Sequence, residues 1–553
     1  MSLRASETPT EIERPDSISL SPQHLLSPDL VVGLIGFAGA GCTDVYTRLD
    51  TFLSDKGFSI CKIKLSECIG KCFTTPLPDI DRSDGVAKLT RAVELQNAGD
   101  ALRERYGAHA VASLAIREIK ALRRVPSDSR RAIILDSLKH PAEVELLRLV
   151  YERSFLLMGV YCDSSVRSSR LRNKFYRADP SRVDNFIDRD ERDRGSTSGQ
   201  QVKLAFHLSD FFLDNSADRL GHDRVYDADL KRIVDIMDGG SLVRPTAGES
   251  AMYAAYSAAH RSSCLSRQVG AAITSPTGEV LATGTNDVPA YGGGVYHDGH
   301  AQEHNRCFKW KWWQRFADGL PDTMKVPLCH NTRKKNDLKQ EIVRWMAASM
   351  PKRFAEYIYP RAEADQLDYH DEERSKIEHQ ARRFFDHLAE VDKERDELLD
   401  DLPGIGDLIE YSRSIHAEMD AVLAAARSGA QLQNGSVYVT TYPCHNCARH
   451  LLAVGIKEVR FLEPYEKSLA VTLHWDSIEN EGSGEHHMSI RPYTGVGPRV
   501  YEQYFLKNFE LKDSRTGKVT LPDTSMTRVG VRLLDLDQVE DMAINKIPST
   551  VVL

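Results

Sequence analysis

The 553-residue sequence contains no apolar run of the roughly 18–20 residues that a membrane-spanning helix needs, so membrane insertion is not expected. Its first stretch, MSLRASETPTEIERPDSISLSPQ, lacks the apolar core of a signal peptide, which points to the cytoplasm. Cysteine is scarce, 10 residues scattered over the whole length, too few for a disulfide scaffold. In a reducing compartment, Cys and His that do cluster read first as metal or catalytic groups. There is no basic excess: Lys and Arg number 72 against 80 Asp and Glu, a net charge of −8. That excludes a broadly basic nucleic-acid coat. Internal repeats are absent, and low complexity is confined to the N-terminal arm. What remains is ordinary globular composition, 41% hydrophobic and 27% charged, in a chain too long for one core.

Residues 1–28, rich in Ser, Thr, Pro and Glu, read as a disordered arm. From Asp29 the pattern changes. LVVGLIGF (Leu30 to Phe37) is a continuous apolar run of the kind a buried parallel strand shows. A Gly-rich turn comes next, then a helical pattern from Thr43. Further strand-like runs, FSICKIKL, RAIILD, FLLMGVYCD and DFFLDN, alternate with helical ones, which means βαβ units and a parallel sheet over 29–240. A second domain is expected over 245–510. It opens with a helix from Glu249, then two strands, VGAAITS and EVLATGTN. An insertion over 289–412 interrupts it, and the charged second half of that insertion predicts a helical hairpin. Residues 511–553 read as a polar tail of loop and short strands.

The most informative residues are His416-Ala417-Glu418 and Pro443-Cys444-His445-Asn446-Cys447. Cys444 and Cys447 are three apart at a helix start, so both can face one ion, and the helix N-terminus favours their thiolates. His416 supplies a third ligand. Three protein ligands leave one zinc position open, which is the catalytic arrangement. Glu418 can reach the cleft without ligating, as a proton shuttle must. The competing reading is a structural knuckle or two buried thiols. A structural site would want a fourth protein ligand, and only His445 is near.

This block resembles the deoxycytidylate deaminases of the zinc-dependent cytidine deaminase superfamily, from AAHRSSCLSRQVGAAITSPTGEVLATGTNDVP through SIHAEMDAV to VYVTTYPCHNCARHLLAVGIKEVRFLEPY. The resemblance implies Zn2+ on His416, Cys444 and Cys447, Glu418 as general acid/base, and Asn286 as the group that binds the deoxyribose. Tyr465 and Lys467, after the last strand, are candidates for substrate phosphate. The insertion is larger than in simple members of that family. Within it, His304, Cys307, Cys329 and His330 have the composition of a second, structural zinc site, near His297 and His300. Trp310, Trp312 and Trp313, interleaved with Lys309 and Lys311, could stack bases, although packing explains them as well.

The turn after the first strand reads Gly36-Phe-Ala-Gly39-Ala-Gly41-Cys42-Thr43. It fits G-x-x-x-x-G-K-[ST] except that Cys42 replaces the lysine. Backbone N–H groups there would cradle phosphates, Thr43 would meet Mg2+, and Asp136 stands where a Walker B acid would. Arg167, Arg170 and Arg172 come after the fourth strand and could serve as lid arginines or as a solvated helix face. This half resembles the P-loop kinase fold in its nucleoside monophosphate kinase style. The expected fold class is therefore α/β, an N-terminal P-loop parallel-sheet domain plus a C-terminal α/β/α cytidine deaminase-like domain with a helical insertion.

The pairing of these two halves resembles the bacterial anti-phage dCTP/dCMP deaminases. That implies hydrolytic deamination of free deoxycytidine nucleotides, with the P-loop half as a sensor. A homo-oligomer is expected, and a nucleotide with Mg2+ at the P-loop. Stable nucleic-acid binding is not expected from a net acidic chain, a regulatory RNA being left open. The alternatives are a cytosine deaminase acting on single-stranded nucleic acid and a regulatory nucleotide-binding P-loop protein.

Overall fold

The computed structural model describes residues 29–73, 81, 83–125, 130–191, 199–216, 222–238, 243–299, 329–358, 367–390, 411–465, 468–479, 486–506, 512, 515–519 and 536–548. The chain divides into two compact units, Met1–Arg244 with Thr494–Leu553, and Pro245–Tyr493.

In the first unit, β1 (Leu30–Gly36), β2 (Phe58–Lys64), β3 (Arg130–Leu138), β4 (Phe155–Tyr161) and β5 (Phe211–Asp214) form a parallel sheet in the order β5-β4-β1-β3-β2. A short strand, Gly495–Val496, adds antiparallel to β5. Every residue of β1 is buried, which is why its sequence is one apolar run. The longer helices of this unit before the second unit begins are α1 (Cys42–Asp55), α2 (Gly85–Tyr106), α3 (Ala110–Arg123), α4 (Pro141–Tyr151), α5 (Ser164–Lys174), α6 (Pro180–Glu191) and α7 (His222–Asp238). Val45 and Leu49 of α1, with Ile233 and Met237 of α7, join Val32, Leu34 and Ile134 of the sheet in one core. Because β1 lies between β3 and β4, the β1–α1 loop opens at the point where strand order reverses, the usual place for a ligand in such sheets.

The chain after Tyr493 differs from the sequence reading. It groups with the first unit, whereas the second domain was expected to run to 510. The tail also contains a helix, Leu536–Ile544, where loop and short strands were expected. That helix buries Leu536, Glu540 and Ala543. Glu540 accepts a hydrogen bond from the Tyr151 hydroxyl at 2.9 Å and pairs with Arg123 at 2.8 Å. These partners lie hundreds of residues upstream, so no local periodicity announces them.

In the second unit, β6 (Gly270–Thr274), β7 (Val280–Thr285), β8 (Ser436–Thr441), β9 (Glu458–Glu463), β10 (Ile478–Glu479) and β11 (Met488–Pro492) run in the order β10-β11-β9-β8-β6-β7. β6 is antiparallel to both its neighbours, and the rest of the sheet is parallel. The helices are α8 (Ala247–Ala259), α9 (His330–Ile358), α10 (Leu367–Glu390), α11 (Ala417–Ser428) and α12 (His445–Ala453). A capping box of Thr246 and Glu249 starts α8. The insertion's α9 and α10 pack through Val343, Phe385 and Leu388, the helical hairpin its charge pattern predicts. The expected α/β fold class thus holds for both units. Among the described residues, no helix is long and apolar enough to cross a membrane.

Gly284 of β7 sets how closely α11 seats on the sheet. A Cβ there would lie 2.2 Å from both Ala417 O and Ala421 N, so only glycine lets the helix dock at this distance. Asp420 adds a second tie, accepting from Thr285 N–H at 3.0 Å.

Candidate active site

The docked N-terminus of α11 carries two of the sequence-predicted residues. His416 is its N-cap, with extended backbone, and Glu418 lies in the first turn, 4% exposed. Across the sheet, β8 ends at Thr441 and the chain turns through Pro443 into α12, whose N-cap is Cys444. Cys447, one turn on, donates its N–H to Cys444 Sγ at 3.5 Å.

These helix starts bring His416 Nδ1 to 3.3 Å from both Cys444 Sγ and Cys447 Sγ. The three donor atoms lie within 4.8 Å of one another, the one such His/Cys/Asp/Glu group among the described residues. A single ring N–H cannot serve two sulfurs, whereas one tetrahedral ion can accept all three, so the set fits zinc. Hydrogen bonding from Cys447 first, and His416 second, holds the Cys444 thiol at about 4 against the pull of burial. The bond to Cys444 raises His416 to about 9, and the same sharing pushes Cys447 well above the usual thiol range. A bound cation would displace those protons. Burial also pushes the Glu418 carboxyl upward.

His416, Glu418 and Cys444 line a cavity of about 460 Å3, a volume suited to a small molecule. Asn286 and Tyr465 share its wall. The Asn286 side chain also braces the wall, its oxygen accepting from Val269 N–H at 2.6 Å and its amide donating to Arg267 O at 2.7 Å. That leaves one lone pair and one N–H for a ligand. Cations from three separate segments, Arg267, Lys335 and Arg413, line the same cavity. Sequence reading missed these three. Each is one charged residue among many, and only the fold brings them together.

Cys329 and His330, expected at a second zinc, also line this cavity. Cys329 Sγ is 3.8 Å from Ser266 Oγ, and His330 Nδ1 is 2.9 Å from Tyr411 O. Their expected co-ligands His304 and Cys307 lie outside the described residues, as do His300, Lys309, Lys311, Lys467 and the three tryptophans.

The phosphate-loop residues stand in the first unit. Gly36 ends β1, Gly39 and Gly41 have positive φ, and Gly41 caps α1 in the left-handed conformation. Thr43 Oγ1 donates to Asp136 Oδ2 at 3.5 Å, and Lys62 reaches the same oxygen at 3.3 Å. Arg170 donates to the carbonyls of Gly39 and Asn215, Arg167 lies over the Phe37 ring, and Arg172 pairs with exposed Asp184.

Comparison with known proteins divides the chain in the same way. Residues 390–463 match the family model for the cytidine and deoxycytidylate deaminase zinc-binding region. The deoxycytidylate deaminase of Enterobacteria phage T2 is 41% identical over 64 residues, 12% of this chain and 32% of the relative. The chain thus spans about a third of the length of that curated deaminase. The UPF0200 protein of Methanothermobacter thermautotrophicus is 28% identical over 179 residues, 32% of this chain and 80% of the relative, and falls on the N-terminal region. A dCMP deaminase from the cyanophage S-TIM5, in its apo crystal form, aligns at 12% identity with a TM-score of 0.20, covering 45% of this chain and 100% of that one. The two ends of the chain are therefore similar to different proteins, the N-terminal region to a UPF0200 protein and residues 390–463 to the deaminase zinc-binding model, which fits the fusion its two motifs predict.

Proposed function

We propose that the second unit hydrolytically deaminates a free deoxycytidine nucleotide, dCMP or dCTP, to the deoxyuridine nucleotide and ammonia. The observation that carries this reading is one cavity lined by the His416–Cys444 pair, the buried Glu418 carboxylate and the cations Arg267, Lys335 and Arg413. A His/Cys/Cys and carboxyl centre beside three cationic side chains suits a nucleotide, with the base at the first and the phosphate at the second. His416, Cys444 and Cys447 would hold Zn2+, which supplies the Lewis acidity that makes water nucleophilic near neutral pH.

The chain's own residues do the rest. Glu418 accepts a proton from the water that attacks C4 of the cytosine ring. It passes that proton to N3, then takes the proton of the new C4 hydroxyl and gives it to the exocyclic amine, so that the C4–N bond breaks, C4=O forms and ammonia leaves. Burial keeps that carboxyl away from bulk water, where its proton would exchange. Asn286 offers its remaining donor and acceptor to the sugar, and Tyr465 lines the same cavity. A role in anti-phage defence, by depleting deoxycytidine nucleotides in the cytoplasm, rests on the joining of this unit to a P-loop partner in one chain.

The test is a substrate panel. Purified protein is incubated with dCMP, dCTP, CMP, CTP and a cytosine-bearing oligonucleotide, and the products are separated by chromatography. Conversion of one or both free deoxynucleotides is expected, with zinc bound at one equivalent or more. Conversion of the oligonucleotide alone would overturn the reading in favour of a nucleic-acid deaminase.

A further inference from the structure

The loop between β1 and α1 has the backbone of a phosphate cradle but not its lysine, and the structure shows what stands in both places. Cys42, at the lysine's position, is turned inward: a Cβ on Gly36 would lie 3.0 Å from its Sγ. Burial pushes its thiol up to about 12, so it stays neutral. The cation comes instead from the end of β3. Lys139 Nζ donates to Gly36 O at 3.1 Å, at the mouth of the loop. Against it lies Asp190 of α6, 2% exposed. One Asp190 oxygen pairs with Lys139 Nζ at 2.7 Å, and the other accepts the Ala38 N–H of the loop at 2.6 Å.

A buried carboxylate that takes a loop N–H on one oxygen and a lysine ammonium on the other makes the contacts a phosphate would make there. Among the described residues, the N–H groups of Gly39, Gly41 and Thr43 have no acceptor, so these donors of the cradle are unused. Thr43 Oγ1 and Asp136 stand together beside it, where a Mg2+ that accompanies a phosphate chain would need them.

We propose that Asp190 is a built-in plug of a polyphosphate site, with Lys139 as the cation that replaces the missing loop lysine. A polyphosphate chain enters only by displacing Asp190, which frees α6 from the loop. Lys139 then passes from the carboxylate to the phosphate without ever being left unpaired. The bound and plugged forms differ in the position of α6, so occupancy of the cradle is converted into a movement of that helix. The affinity of the wild-type chain is lowered by the fraction of time the plug is closed.

The experiment is calorimetry on the full chain with pyrophosphate, ATP and dCTP, each with Mg2+, for wild type, Asp190→Asn and Asp190→Asn/Lys139→Met. The isosteric Asp190→Asn variant should bind triphosphate roughly tenfold or more tightly than wild type, and the double variant should lose that gain. Equal gains for pyrophosphate and for both nucleotides would place recognition in the phosphate chain. A larger gain for one nucleotide would place it partly in the base. Folding is checked by melting temperature and zinc content. A folded Asp190→Asn chain that binds no more tightly than wild type overturns the proposal. Should that variant not fold, hydrogen exchange on wild type decides. Faster exchange over 180–190 with millimolar triphosphate supports the plug, and unchanged exchange, or no binding at that concentration, overturns it.

Discussion

Glu418 differs from its neighbours in that it lines the cavity without belonging to the metal triad. Replacing it with glutamine keeps its shape and removes its proton chemistry. Glu418→Gln is expected to retain full zinc content and melting temperature and to lose at least about 100-fold in turnover of dCMP or dCTP. Metal analysis beside a steady-state assay checks this, and near-normal turnover would remove Glu418 from the mechanism. At this scale the sequence was legible where function is local. HxE and PCxxC place His416, Glu418, Cys444 and Cys447 at fixed offsets from two helix starts, so their spacing was enough to predict that these residues come together. Arg267, Lys335 and Arg413 have no such offset. Each sits on a different segment, and nothing nearby in sequence distinguishes it from the many other basic residues of the chain.

The elements show the same division between local and distant causes. The strands of both units follow from their apolar runs, and β1 and β3 appear where LVVGLIGF and RAIILD predict them. β10, only two residues long, has too little pattern to be read. The docking of α11 on β7 also has a cause visible only in three dimensions, because Gly284 matters through the Ala417 and Ala421 backbone that faces it. Gly284→Val should therefore push α11 off the sheet and cost about 1–3 kcal/mol as an overpacked contact. Since α11 carries His416, zinc affinity should fall along with stability. Thermal melts and competition with a chelator measure the two effects. A melting temperature lowered with unchanged metal affinity would mean that the site does not depend on how that helix is seated.

For the whole molecule, the chain order and the folded units do not coincide. The second unit ends at Tyr493, and from Thr494 the chain returns to the unit that was begun at the N-terminus. The reason is physical. Glu540 is fully buried, paired with Arg123 and bonded to Tyr151, while Lys120 donates to Asp537 O at 2.9 Å and pairs with Asp541 at 2.8 Å. A helix as short as Leu536–Ile544 has little stability of its own and is held by this packing. Charging its buried face tests which unit it supports. In the full chain, Leu536→Asp with Ala543→Asp places two carboxylates where apolar side chains are 3% exposed. A buried, unpaired charge is costly enough to strip the helix from α3 and α4. The melting transition of the first unit should fall by several degrees, while zinc content stays at the wild-type value, because every ligand of the triad lies between Pro245 and Tyr493. Scanning calorimetry together with metal analysis reads both quantities. Loss of zinc with an unchanged first transition would assign the C-terminal helix to the second unit and reverse the grouping.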